Sequence, residues 1–132
     1  MRRLLLDTNI YISAIFFGGK PKEILDLARD NKVEIIISEY ILWEIKDVLS
    51  RKFNVSDSKL NKIEHDILSL TKLMRTTSKV SLITEHPADN AILSCAVDGR
   101  ADAIITGDKH ILTLKKYKNM PILTPQKFLL CA

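Results

Sequence analysis

Short apolar runs alternate with amphipathic stretches along this chain, a rhythm that predicts βα units wound around a parallel sheet. Four runs read as strands: Arg3 to Leu6, Val33 to Ile37, Lys79 to Ile83 and Ala103 to Thr106, with a shorter fifth around Pro121 to Leu123. The unbroken Ile35-Ile36-Ile37, closed by Ser38, suits a strand covered on both faces. Pro21, after Gly18-Gly19, fits the first position of a helix over Lys22 to Asn31. Ser38 can cap a helix over Glu39 to Lys52, Ser56 or Asp57 a long one to about Thr76, and Thr124 with Pro125 a short last one. Another begins near Pro87 and can end at Gly99. In the long helix Leu60, Ile63, Ile67, Leu70 and Met74 form a stripe suited to antiparallel packing on the preceding helix.

This layout predicts where the carboxylates fall. Ligands of open parallel α/β sheets bind beyond the carboxyl ends of the strands. Asp7 directly follows Leu4-Leu5-Leu6, and Asp108 follows Ile104-Ile105-Thr106-Gly107, so both belong at that edge, with Gly107 expected to let the backbone turn tightly. On the helix after the second strand, Ile41, Ile45, Val48, Leu49 and Lys52 share the inward side, and Glu44 lies on its border. Asp89 occupies a similar border position, in the first turn of a helix that buries Ala88, Ala91, Ile92, Cys95 and Ala96. Each acid has a plainer use. Asp7 and Asp108 suit helix caps, Asp89 complements a helix dipole, and Glu44 can pair with Arg51. Their convergence on one edge is what favours chemistry.

Composition narrows the classes. At 132 residues the chain is expected to be one domain over 1–132, with 46% hydrophobic and 27% charged residues and no disordered bias. Lys and Arg total 20 against 16 for Asp and Glu, a modest excess that permits a polyanionic partner without demanding one. Cys95 and Cys131 lack zinc-site spacing and do not make a disulfide scaffold; Cys95 suits an inert core position. Asp7-Thr8-Asn9 interrupts the apolar run after Arg2-Arg3, so no secretory h-region is expected there. No apolar stretch approaches the roughly 20 residues of a membrane helix, and the expected compartment is the cytoplasm.

Four carboxylates in one small site repel: two unit charges about 4 Å apart cost about 4 kcal/mol at an effective dielectric of 20. Protonation or a divalent cation relieves this. Oxygen ligands without Cys or His select hard ions, hence Mg²⁺ or Mn²⁺, and such ions on carboxylates point to phosphodiester hydrolysis. Thr8, Asn9 and Thr106 are placed to orient those carboxylates or a bound water.

Taken in order, Leu4-Leu5-Leu6-Asp7-Thr8-Asn9, Ser38 with Glu44-Ile45 and Val48-Leu49, Asp89-Asn90, and Ile105-Thr106-Gly107-Asp108-Lys109-His110-Ile111-Leu112 resemble the PIN domain across essentially the whole chain. Within that family the chain is similar to the VapC-like ribonucleases of toxin–antitoxin pairs. The resemblance implies a three-layer α/β/α sandwich with a central parallel sheet of about four to five strands, often homodimeric. It also implies an Mg²⁺- or Mn²⁺-dependent endoribonuclease held off by an antitoxin. It assigns Asp7, Glu44, Asp89 and Asp108 to the catalytic and metal-ligating positions and matches Thr106 to a hydroxyl residue before Gly-Asp. The chain departs from relatives at His86-Pro87-Ala88-Asp89, which offers one acid where they often carry more, and at Ile111-Leu112, where some carry another acid. One ion or two therefore stays open.

Lys109 and Lys115, near the acids, are the expected RNA contacts; Lys59, Lys62, Lys72, Arg75 and Lys79 form a second basic region suited to a solvated face. His86 and His110 stand close in sequence to Asp89 and Asp108, whereas His65 falls on a polar helix face. Tyr40 and Trp43 point away from their helix's apolar stripe, towards the next helix or towards a dimer or antitoxin surface. A haloacid-dehalogenase phosphotransferase needs an acid where Asn9 stands, a receiver domain needs an aspartate that Val80 to Thr84 lacks, and no Gly-rich phosphate turn follows the first strand. The competing functions are a non-catalytic PIN-like module binding RNA or protein, and a housekeeping RNA-processing nuclease.

Overall fold

Leu4, Leu5 and Leu6 present no polar side chain to water, and all three are fully buried in the first strand, β1 (Arg2–Leu6). The computed structural model describes residues 1–75 and 87–131, with Pro87, Ala88 and Asp89 described by their backbone. After β1 come α1 (Thr8–Phe17), α2 (Gly19–Arg29), β2 (Val33–Ser38), α3 (Glu39–Phe53), α4 (Asp57–Leu70) and β3 (Thr71–Met74). The second half runs α5 (Pro87–Asp98), β4 (Ala103–Ile105), α6 (Lys109–Leu112), β5 (Lys116–Tyr117), β6 (Met120–Leu123) and α7 (Pro125–Cys131).

The strands form one sheet in the order β3-β2-β1-β4-β6-β5, parallel throughout except for the β5–β6 pair. Winding steps outward from β1 to β3, then returns to the other side of β1 for β4 and β6. Right-handed crossovers therefore put α1 to α4 on one face and α5 and α6 on the other, giving a three-layer α/β sandwich. On the first face α1 packs on α2 and α3, and α3 on α4. Among the described residues, no helix is long and apolar enough to cross a membrane.

Register aligns Leu5 with Ile36 and Ile104 on one face, and Leu4 with Ile35 and Ala103 on the other. All six are buried, as is Cys95 on α5. On the Leu5 face α5 comes very close to the sheet. A Cβ on Gly99 would stand 2.2 Å from Ile36 Cδ1 and 3.1 Å from the Cys95 carbonyl oxygen. The left-handed residue at this helix end is Arg100, at φ 53°, so Gly99 serves close packing rather than reversal of the backbone. Gly107 also departs from expectation: its φ is not left-handed and a Cβ there would meet nothing within 4 Å.

Several boundaries move. Ser38 accepts from the Ile41 amide at 3.1 Å and α3 follows as expected, closed by a left-handed Asn54 at φ 52°. α2 starts at Gly19, the second of two glycines with positive φ, and ends at Arg29. α1 has no counterpart in the sequence expectations, because its run of Ile10, Tyr11, Ile12 and Ala14 is buried and apolar nearly all round, without the one-sided stripe that marks a surface helix. The long fourth helix stops at Leu70, where Thr71 turns extended (φ −128°, ψ 166°) and its hydroxyl donates to the Ile67 carbonyl at 2.9 Å. Met74 thus ends a helical stripe in sequence but lies in β3, paired with Ser38. A five-residue run such as Leu70 to Met74 suits either period, and pairing with β2 decides it. The strand expected at Lys79 to Ile83 lies outside the described residues; the third strand of the sheet is Thr71–Met74. Among the described residues five strands run parallel, within the expected four to five, and the short antiparallel β5 adds a sixth to the sheet.

Gly99→Ala is expected to cost about 1–3 kcal/mol through overpacking, whereas Gly107→Ala stays within about 0.5 kcal/mol of the parent. Urea denaturation checks both. Ile36→Val removes the clashing methyl, so combined with Gly99→Ala it should lose less than the two single losses added together.

Candidate active site

β1 is the switch point of the sheet, flanked by β2 and β4, the first strands of the two winding directions. Asp7 leaves its carboxyl end, with its amide donating to the Ile105 carbonyl at 2.9 Å, so β1 and β4 deliver their chains to the same edge. Glu44 reaches this edge from α3 on the β2 side, and Asp108 from the loop after β4. Asp7, Glu44 and Asp108 line one cavity of about 200 Å³, together with Thr8, Asn9, Val48, Lys52 and Ile92.

The geometry separates structural from chemical uses of these acids. Asp7 stands at the N-cap of α1, yet its side chain makes no capping hydrogen bond. Its Oδ2 instead accepts from the Thr106 hydroxyl at 2.7 Å. Asp7 is 4% exposed and Thr106 fully buried. Burial pushes the Asp7 carboxyl up to about 6; the Thr106 hydrogen bond opposes the shift, while the charges of Asp108 and Glu44 reinforce it. Asp108 does cap α6, its Oδ1 accepting from the His110 amide at 2.8 Å. Its own amide donates to Thr106 Oγ1 at 3.0 Å. Thr106 thereby ties together Asp7 and the loop that presents Asp108.

On the other side Thr8, 3% exposed, donates its hydroxyl to Glu44 Oε1. The Tyr40 hydroxyl lies 3.5 Å from Glu44 Oε2, at the limit of a hydrogen bond. The expected Glu44–Arg51 pair does not form, because Arg51 is held by Asp47 at 2.6 Å. Thr8 and Thr106 thus hydrogen-bond the carboxylates, while Asn9 lines the cavity from an exposed position.

Asp89 lies in the first turn of α5, where only its backbone is described, and His86 lies outside the described residues. Among the described residues no group of three acids, histidines or cysteines closes tightly enough to enclose an ion by itself. The donor set is still one that suits a hard cation. Mg²⁺ commonly takes one or two protein carboxylates, keeps several waters and completes its shell with substrate phosphate. Lys109 and Lys115 are exposed and do not line the cavity; Lys115 adopts a left-handed conformation at φ 60°. The cation that does line it is Lys52. Its signal in the sequence was its place two turns beyond Glu44 on the same helix. Tyr40 and Trp43, their ring centroids 5.9 Å apart, remain 40% and 58% exposed rather than covered by α4. A larger cavity of about 280 Å³, between α1, α2 and α4, is mainly apolar and lies away from the acids.

The PIN domain model matches residues 3–110, and the chain belongs to the PIN domain family. Solved structures share the fold. The VapBC2 complex from Rickettsia felis bound to a DNA fragment from its promoter matches at 21% identity, with a TM-score of 0.64, over 91% of this chain and 96% of that one. DNA-bound VapBC from Salmonella typhimurium matches at 14% identity and a TM-score of 0.67, over 95% and 99%. FitAcB from Neisseria gonorrhoeae matches at 18% identity and 0.60, over 93% and 98%. No curated protein sequence matches significantly.

The Asp7 shift carries a stability consequence with a definite sign. Its carboxyl moves from 3.8 to about 6 on folding, so the native state holds the proton more tightly and loses stability as pH rises from about 4 through 6. The loss approaches about 3 kcal/mol if the shift is fully expressed. In metal-free buffer, Asp7→Asn is expected to melt higher than the parent at pH 7.5, with the gain fading towards pH 4. A melt series across that range checks it; an equal gain at every pH would show that the carboxylate charge is not its source.

Proposed function

We propose that this chain is a metal-dependent endoribonuclease that hydrolyses RNA phosphodiester bonds in the cytoplasm as the toxin member of a toxin–antitoxin pair. The observation carrying this reading is the buried Asp7 at the switch point, with Glu44 and Asp108 lining the same cavity and the Thr106 and Thr8 hydroxyls donating to Asp7 and Glu44. Family membership and the fold shared with VapBC and FitAcB complexes support it.

In this reading Asp7, Glu44 and Asp108 hold Mg²⁺ or Mn²⁺, with Asp89 joining them from the first turn of α5. A bound ion would supply a water acidic enough to attack phosphorus at neutral pH and would stabilise the leaving oxygen. The chain's own part is positioning. Thr106 donates to Asp7 Oδ2 and so fixes the orientation of that carboxylate. Thr8 does the same at Glu44 Oε1. The buried Ile92 and the half-buried Val48 supply apolar wall beside the acids. A cognate antitoxin and a homodimer belong to the same proposal, the VapBC neighbours being complexes of toxin with antitoxin.

With labelled RNA in Mn²⁺ or Mg²⁺, the purified protein should cut, and EDTA should stop it. Asp7→Asn and Asp108→Asn should each lower the rate by at least about 100-fold without loss of fold, judged by circular dichroism. Thr106→Val, which keeps shape but removes the hydroxyl, is expected to lower metal affinity or activity by about 10–100-fold. Metal-independent cutting, or cutting that survives both aspartate substitutions, overturns the proposal.

A further inference from the structure

Resting on that nuclease reading, we infer that Lys52 holds the RNA at this site by contacting a phosphate beside the one being cut. Lys52 lines the cavity together with Asp7, Glu44 and Asp108. It follows Glu44 by eight positions on α3, with Val48 midway, so the three share one line along the helix. Two turns amount to about 12 Å of rise, which sets the lysine stem at the mouth of the cavity when Glu44 lies at its acidic end.

Neighbouring cations on α3 are already engaged. Arg51 pairs with Asp47 at 2.6 Å and Lys46 with Glu64 at 2.8 Å. Lys52 is exposed and makes no ion pair or hydrogen bond within the described residues, although three carboxylates line its cavity. A lysine serving as internal counter-ion would rest on one of them. Its three donors instead remain available to a ligand. The ligand that needs them is a phosphodiester, which the acids repel and which gains from a positive charge beside them. A lysine contributes as a flexible point charge, suited to backbone phosphate without regard to base. Lys109 and Lys115, the cations nearest Asp108 in sequence, do not line the cavity.

The test combines binding with kinetics. Fluorescence anisotropy with a labelled single-stranded RNA, in the uncutting Asp7→Asn background with Mn²⁺, follows affinity from about 50 to 200 mM salt. Lys52→Met should weaken binding several-fold and make the log–log salt slope shallower by about 0.7, the share of one single-strand phosphate contact. Lys52→Arg should restore both. Lys32→Met, an equal loss of charge in the turn before β2 at the opposite edge of the sheet, should change neither. In the Asp7-intact protein, Lys52→Met should raise KM and leave kcat within about twofold. Unchanged affinity and salt slope in Lys52→Met overturn the inference, as does a loss confined to kcat. If the parent cuts RNA while Lys52→Met binds like the parent, the contact falls and the nuclease stands. If the parent never cuts but binds RNA in a Lys52-dependent way, the nuclease reading falls and the contact stands.

Discussion

Asp7 occupies the place where the two winding directions of the sheet meet, and it is buried there with no cation as its direct partner among the described residues. A carboxylate in that position is costly in a folded protein unless it is protonated, hydrogen-bonded or joined by a counter-charge. The Thr106 hydroxyl meets part of the cost, and burial holds the Asp7 carboxyl up near 6. Glu44 and Asp108 add to the same negative field, so the edge of the sheet carries a standing demand for positive charge. Much of the surrounding structure follows from keeping these acids near one another.

Two threonines supply that restraint in similar ways. Thr106 donates to Asp7 and accepts from the Asp108 amide, linking the end of β1 to the loop after β4. Thr8 donates to Glu44, linking the start of α1 to α3. Each hydroxyl donates its single proton to one carboxylate oxygen, which orients that side chain. Asp108 divides its own role, with Oδ1 capping α6 through the His110 amide. Structural and chemical uses of an acid are therefore compatible here, and the cap at Asp108 is part of how the side chain is aimed.

The sheet beneath fixes where the strand ends that carry the acids stand. Leu5, Ile36 and Ile104 stand side by side across three parallel strands, and α5 packs so closely on that layer that Gly99 has no room for a side chain. The carboxyl ends of β2, β1 and β4 are thus held in register by a dry core, and the acids inherit that precision. The connections at the edge are left freer: Gly107 faces open space, and Lys52 is exposed at the cavity mouth.

Asp7 and Asp108 were legible from the chain alone because each directly follows an apolar strand, and a parallel sheet sends all such ends to one edge. Glu44 was legible from its place beside an inward stripe, and the order of these motifs was enough to indicate the PIN family. Local patterns could not determine what depends on register and neighbours. The strand at Thr71–Met74 arises from pairing with β2, in a segment whose spacing suits a helix equally well. The helix α1 is apolar nearly all round, so it lacks the stripe that periodicity detects. Gly99 owes its place to the approach of α5 to Ile36, and Lys52 lines the cavity because α3 runs along it, whereas Lys109, adjacent to Asp108 in sequence, stays outside it. The sequence by itself determined which residues end the strands and what charge they carry, since those are properties of the chain in one dimension. Only the tertiary structure decided which hydroxyl meets which carboxylate, across 36 positions for Thr8 and Glu44 and 99 for Asp7 and Thr106, because those contacts are made by packing between strands and helices distant along the chain.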